Sequence, residues 1–286
     1  MATPSRYVPN ALRAPLWVAG QGDSIVQRLG HQVTFLGQVL GAIPTTIKHY
    51  RHQTGVLLVD IMWGNGSLIV GGGTIGVLVF MGAAVGGSVG IEGYGALDMV
   101  GMGPLTGFVS AYANTREMAP MIAGIGFAAQ AGCRMTAEIG AMRISEEIDA
   151  LEALGIRSIP FVVTTRVIAG MLTIVPLYVV TLALSYLSCV VVVNVLHGQS
   201  SGTYYHYFDS FLQPSDVVFS VLKAAIFVTL IIAIHCYHGY YAEGGPEGVG
   251  RASGRAIRAS IVTVVAADMV LTLLFWGNSP GVRISG

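Results

Sequence analysis

Long apolar stretches alternate with short polar ones along most of the chain. The strongly apolar stretches cover roughly residues 66–90, 118–134, 160–196, 217–242 and 257–277. Each supplies enough residues for a membrane-crossing helix, which needs ~20. The pattern therefore predicts an all-α, polytopic integral membrane protein with about five transmembrane helices.

Two regions fit this pattern less well. Residues 95–115 are moderately apolar but are broken by glycines and Pro104, so they either extend the second helix or form a re-entrant piece. Residues 16–54 place apolar side chains at one-sided helical spacing, with charged or amide side chains on each turn. That spacing is typical of a helix lying in the membrane interface and favours this location over a buried crossing.

The overall composition agrees with a membrane location. Hydrophobic residues make up 53% of the 286 residues and charged residues only 10%, with a mean hydropathy of +0.67. These values lie far from those of a soluble domain. The 38 glycines predict closely packed helices. The net charge is zero, so the chain has no general basic surface and nucleic acid is not expected as a partner.

No internal repeat divides the chain, so residues 1–286 are treated as a single domain. Within it we expect a cytoplasmic or interfacial N-terminal segment (1–55), a transmembrane bundle (56–278) and a short outer tail (279–286). The beginning of the chain lacks the features of a removable signal peptide and is expected to be retained. Of the 15 Lys and Arg residues, 12 fall on one side of the predicted bundle. This asymmetry predicts a multi-pass protein with its N-terminus on the cytoplasmic side of the membrane and its C-terminus outside.

Charged residues within the apolar stretches are the first candidate site: Arg116, Glu117, Lys223 and Asp268. A charge at membrane depth costs roughly 3 kcal/mol unless it is satisfied. A rise of about 1.5 Å per residue places all four toward the outer half of the bundle, where two positive and two negative charges can neutralise one another. We expect them to line one outward-opening cavity with a gating role. The alternative is a structural network that only fixes helix register.

A short acidic helix is predicted after the second apolar stretch. Ser145 is placed to cap its first turn, the acidic residues that follow complement the helix dipole, and Gly155 marks its end. We expect this helix to dock onto a cytoplasmic motor; an ordinary surface helix is the alternative. The residues assigned to it are Ser145, Glu146, Glu147, Ile148, Asp149, Leu151, Glu152 and Leu154.

No catalytic, cofactor or metal site is predicted in this chain. The glycine-rich run Gly64–Gly76 lacks the following lysine that a phosphate-binding loop requires. His235 and His238 share a helix face, but no third ligand lies nearby in the sequence. The three cysteines are widely spaced within apolar runs, so they are predicted to be buried and free rather than disulfide-bonded.

Several segments, in a fixed order, resemble the MlaE/YrbE permeases of lipid-transporting ABC systems, most closely the YrbE proteins that accompany Mce proteins in actinobacteria. They are REMAPMIAG, TAEIGAMRISEEIDALEALGI, VLKAAIF, HGYYA and GRASGRAIRASIV, followed by ADMVLTLLFWGN. The resemblance covers the chain from about residue 60 to Asn278. One departure is the sequence Ala-Gln-Ala at residues 129–131, where the family often reads Ala-Gly-Arg.

The resemblance implies a permease of five spans with an N-terminal interfacial helix, in the cell inner (plasma) membrane with a periplasmic C-terminus. Its implied partners are a second YrbE-type permease, a cytoplasmic ABC ATPase dimer that uses ATP and Mg, and MCE-domain proteins that conduct hydrophobic lipids. The four buried charges become the cluster near the lipid cavity, and residues 145–154 become the coupling helix. The departure at residues 129–131 favours a heterodimer over a homodimer, and import is the expected direction.

Other functions remain open beside this one. A structural membrane anchor for an MCE assembly would use the charged cluster only as a register device. A membrane-embedded lipid-modifying enzyme is less favoured, because no base and nucleophile are placed together in the sequence. A secondary transporter is disfavoured because no inverted repeat is visible.

Overall fold

The computed structural model describes residues 30–64 and 73–277, which form ten helices and, within these ranges, no strand. In chain order they are α1 (30–41), α2 (Ile43–His49), α3 (Arg51–Trp63), α4 (Gly73–Asp98), α5 (106–144), α6 (Glu147–Ala153), α7 (Ile159–His197), α8 (Ser201–Phe211), α9 (Pro214–Tyr240) and α10 (Gly245–Trp276). The predicted all-α class is confirmed.

Four of these helices, α4, α7, α9 and α10, are long and apolar enough to cross a membrane. The remaining predicted apolar stretch, 118–134, lies within α5, a continuous helix with two π-helical segments, Ser110–Met118 and Ala128–Gly132. We call the end of the bundle that carries α6 the α6 end, and the opposite end the α8 end. The chain is a polytopic α-helical membrane protein.

Residues 95–115, for which the sequence left two alternatives, are divided between two helices. The helix α4 continues to Asp98, beyond its predicted end, and α5 begins at Thr106 after a turn and a short 3₁₀ segment, Gly103–Leu105. Gly101 takes a φ of +72° in this turn, a conformation that glycine adopts without steric cost. The last helix, α10, also begins earlier than predicted, at Gly245.

The N-terminal amphipathic pattern forms three short helices. Residues 16–29 of the predicted helix lie outside the described ranges, whereas the remainder forms α1 and α2, and α3 continues to Trp63. On α1, Phe35 and Val39 are buried, while Val33 is 68% exposed. The Phe35 ring lies 5.4 Å from the ring of Tyr237 on α9. The helix α1 is therefore one-sided, with its apolar face packed on the bundle.

The helices α4 and α7 pack backbone against backbone. Gly82, Gly86 and Gly90 lie one turn apart on the buried face of α4. A Cβ atom on Gly86 would lie 1.9 Å from the carbonyl oxygen of Ser185, and one on Gly82 would lie 2.6 Å from that of Thr181. Only glycine permits this approach, which is the small-residue packing that the composition predicted.

Candidate functional site

The centre of the candidate site is Lys223 on α9, which is fully buried. Its ammonium group donates to Glu117 Oε2 at 3.0 Å, to Thr272 Oγ1 at 2.8 Å and to the carbonyl oxygen of Arg116 at 2.7 Å. A carboxylate oxygen of Asp268 lies 2.7 Å from the same nitrogen. Thr272 in turn donates to Glu117 Oε1 at 2.8 Å. One cation thus holds α5, α9 and α10 together near the α8 end.

A second buried ion pair lies beside this centre. The Arg116 guanidinium donates from Nε and Nη2 to Asp216 Oδ2, at 3.1 and 2.8 Å. Trp276 donates its indole N–H to the other oxygen of Asp216 at 2.8 Å. The guanidinium also lies 4.0 Å from the ring centroid of Tyr112, a cation–π distance. Because the carbonyl of Arg116 accepts from Lys223, the two ion pairs form one network.

The structure brings the four predicted residues together, and Arg116 and Glu117 do not pair with each other. Adjacent residues on a helix do not face each other, so each finds a different partner. Beside the two positive and two negative charges that the sequence singles out, Asp216 adds a third carboxylate to the network. The side chain of Glu117 is 29% exposed, so the network opens to its surroundings through this residue.

Three members of the network were not predicted from the sequence: Asp216, Thr272 and Trp276. Asp216 lies just outside the predicted apolar stretch 217–242, in the first turn of α9. A usable signal existed: Asp216 precedes Lys223 by seven residues, about two helical turns, so both lie on one helix face. Helical spacing likewise places Thr272 and Trp276 on the same face as Asp268.

The network provides fixed charges rather than reactive groups. Within residues 30–64 and 73–277, no group of three His, Cys, Asp or Glu side chains is placed to hold a metal ion. His235 instead contacts the hydroxyl of Thr136 at 2.8 Å through Nδ1. The arrangement can hold helices in a defined register and present the charge of Glu117 to whatever occupies the space beside it.

The predicted docking helix is present as α6 but begins later than predicted. Its first helical residue is Glu147, and Glu146 precedes it with a φ of +61°. The Ser145 hydroxyl does not cap α6; it donates back to the carbonyl of Ala141 at 2.9 Å and to Glu147 Oε1 at 3.0 Å. Ser145 therefore ends α5, and the left-handed Glu146 makes the turn between the two helices.

The surface of α6 is acidic, and one large apolar residue is exposed directly after its end. Ile148 is buried against the bundle and Leu151 is partly buried, whereas Leu154 is 76% exposed. The three large apolar residues of this segment are thus divided between the core and the surface. The exposed acidic residues of this segment are Glu146, Glu147, Asp149 and Glu152.

Polar contacts fasten α6 to the neighbouring helices. Asp149 forms an ion pair with Arg143 of α5 at 2.7 Å. Glu152 accepts from the hydroxyl of Ser158 at 2.5 Å and from the phenol of Tyr240, on α9, at 3.4 Å. These contacts link α6 to α5 and α9.

A further ion network, which the sequence analysis did not identify, joins three helices toward the α6 end. Arg134 of α5 contacts Asp60 of α3 at 2.6 Å and Glu138 at 3.3 Å. Glu138 also contacts Arg166 of α7 at 3.2 Å. Arg134 lies three residues after the Ala-Gln-Ala departure from the family pattern, and it fixes α3 to the bundle.

The fold and the site define the class: a multi-pass α-helical membrane protein with a buried ion network between its helices and a short amphipathic helix outside them. A model of the Permease MlaE family matches residues 65–274. The chain belongs to the MlaE permease family.

Relatives in several organisms support this assignment. The chain is 35% identical to a probable ABC transporter permease protein of Rickettsia bellii, over 57% of this chain and 62% of the relative. It is 30% identical to the Arabidopsis thaliana chloroplastic protein trigalactosyldiacylglycerol 1, over 71% and 58%. It is 25% identical to the intermembrane phospholipid transport system permease protein MlaE of Haemophilus influenzae, over 70% and 77%. The matches to the rickettsial relatives span about three fifths of their length.

Proposed function

We propose that the chain is the permease subunit of an ABC-type transporter that moves hydrophobic lipids across the cell envelope, in the direction of import. The observation that carries this proposal is that two features occur together. A buried ion network joins α5, α9 and α10, and the acidic helix α6 contacts two of these helices, α5 and α9. Membership of the MlaE permease family supports it, and the H. influenzae relative is named for phospholipid transport.

In this proposal the chain is non-catalytic, and ATP hydrolysis with Mg takes place in a cytoplasmic ATPase dimer. The surface that fits such a partner is α6, where Leu154 is exposed among acidic side chains. The α6 end is then cytoplasmic, as the distribution of basic residues predicts. MCE-domain proteins bind at the α8 end and conduct the lipid.

The second half of the permease is proposed to be a different chain. Ala131 stands where the family often carries an arginine, and the neighbouring Gln130 is exposed on α5. A different partner chain could supply the missing positive charge here, whereas a second copy of this chain lacks the same arginine. Lipid passage then takes place between the two permeases, beside Glu117.

The ion network is proposed to gate this passage. A motor can only shift a conformational equilibrium through contacts that differ between two states. The salt bridges of Lys223 to Glu117 and Asp268 join three helices, so a change in helix spacing breaks or forms them. A structural anchor for an MCE assembly is the second candidate, because buried ion pairs also fix helix register.

Affinity purification of the tagged chain from its native cells, followed by identification of the bound proteins and an ATPase assay, tests the proposal. We expect Leu154→Arg to remove the ATPase subunit from the complex, while Lys48→Glu, an exposed charge change on α2, retains it. Glu117→Gln should leave the complex intact but abolish lipid transport. A wild-type chain that purifies without an ATPase would overturn the transporter function, and a Glu117→Gln complex that transports normally would overturn the gating role.

A further inference from the structure

A cavity of about 250 Å³ lies between α1, α9 and α10. We call it the apolar cavity, since most of its wall is aliphatic or aromatic. Residues that line it include Val33, Phe35, Leu36, Leu230, Ile234 and Ala259. It is remote from the buried ion network, which lies near the other end of α9.

A second cavity of about 260 Å³ follows it toward the α6 end. We call it the basic cavity, and it is lined by Tyr241, Glu243, Gly248, Arg251 and Arg255. The ring of Tyr237, which lines the apolar cavity, lies 5.1 Å from the ring of Tyr241. The two cavities therefore adjoin across this pair of rings.

Two antiparallel helices, α9 and α10, both line the apolar cavity first and the basic cavity second when followed toward the α6 end. On α9, Leu230 to His238 line the apolar cavity, and Tyr241, just beyond the helix, lines the basic one. On α10, which runs the other way, Arg255 lines the basic cavity and Ala259, about 6 Å further into the bundle, lines the apolar one. A charged space at the membrane boundary leading to an apolar space within it matches the shape of an amphiphile.

Charge identifies the head group that this site would take. Arg251 lies 3.6 Å from Glu247 in an exposed pair, and Glu243 also faces the basic cavity. Arg255 is exposed and, in the described part of the chain, has no carboxylate within 4.0 Å. An arginine guanidinium suits a phosphate group, which it binds through paired charge-assisted hydrogen bonds.

We propose that the apolar and basic cavities together bind one anionic phospholipid, with an acyl chain in the apolar cavity and the phosphate on Arg255. This lipid belongs to the leaflet at the α6 end, which is cytoplasmic in the orientation proposed above. The site requires no transport activity, and it packs the lipid against α1, so its occupancy stabilises the docking of α1 on α9.

Native mass spectrometry of the purified full chain in detergent tests this site, with dioleoyl phosphatidylglycerol and dioleoyl phosphatidylcholine as probes. We expect the wild-type chain to retain phosphatidylglycerol preferentially. Arg255→Gln removes a charge-assisted hydrogen bond and should weaken this binding about ten-fold. Arg258→Gln is the matched control, because Arg258 is exposed on the same helix, lines neither cavity and bonds its own helix at Gly254.

Three results would overturn the assignment. Equal weakening by the Arg255 and Arg258 substitutions would indicate diffuse attraction to the basic surface. Unchanged binding by Arg255→Gln would remove the arginine from the site. Displacement of the lipid by excess inorganic phosphate would indicate a site for a free anion. Because the assay measures binding to the chain alone, its outcome is independent of whether the chain proves to be a transporter subunit.

Discussion

Replacement of Lys223 by methionine is the sharpest test of the buried network. Methionine keeps an unbranched side chain of similar length but removes the charge and all three N–H donors. Glu117 and Asp268 would then remain near each other without their shared cation. Two carboxylates in this position repel each other and have lost part of their solvation.

The structure sets the expected loss of stability. Removing one partner of a buried ion pair costs about 3–5 kcal/mol. The Asp268 side chain is only 10% exposed, but that of Glu117 is 29% exposed and retains the Thr272 hydroxyl as a donor. We therefore expect a cost near the lower limit, about 3 kcal/mol. The double variant Lys223→Met with Asp268→Asn should recover about half of it, because one carboxylate charge is removed with the cation.

Size-exclusion chromatography of detergent-solubilised protein after heating measures these differences as shifts in apparent melting temperature. The control is Lys48→Met, because Lys48 is the only other lysine in the sequence and is exposed. We expect the control to melt with the wild type, Lys223→Met to melt lowest and the double variant to lie between. A Lys223→Met chain that melts with the control would refute the conclusion that this cation neutralises the two carboxylates.

Further predictions concern helix packing, the second ion network and the turn before α6. Gly86→Ala should destabilise the protein by at least about 2 kcal/mol, since its Cβ would enter the backbone of α7; Gly95→Ala, with open space around it, is the control, and equal melting of the two would contradict this. Arg134→Met should accelerate amide hydrogen exchange in α3 by releasing Asp60, whereas unchanged exchange would show that other contacts hold α3. Glu146→Gly should stabilise the protein by up to about 1 kcal/mol in the same melting assay, because glycine adopts positive φ freely; a lower melting temperature would contradict this.

The sequence was sufficient for the class of fold and for the core of the site. Unbroken apolar stretches predicted the long helices, and charge within them was rare enough to single out Lys223 and Asp268. Asp216 was not singled out, because an acidic residue after a proline in the first turn of a helix is common whether or not it is buried. Its pairing with Arg116, 100 residues away, depends on how α5 and α9 cross.

Local backbone geometry could not be predicted from the sequence either. The spacing predicted an acidic helix near Ser145, but the choice between capping and back-bonding by its hydroxyl depends on the left-handed turn at Glu146. The pair of Arg134 with Asp60 links a bundle helix to α3 and required the docking of α3 to be known. Tertiary placement decided each of these cases.

The contact between α4 and α7 has a mechanical consequence. Where backbone atoms touch at successive turns, no flexible side chain lies between the helices to absorb a change in spacing. The helices α4 and α7 should therefore move together as one rigid body during any transition between conformational states. Deformation must then fall on contacts that pass through side chains, such as that of Lys223 on α9 with Asp268 on α10. A cross-link between α4 and α7 should be tolerated throughout a working cycle, whereas one between α9 and α10 should arrest it.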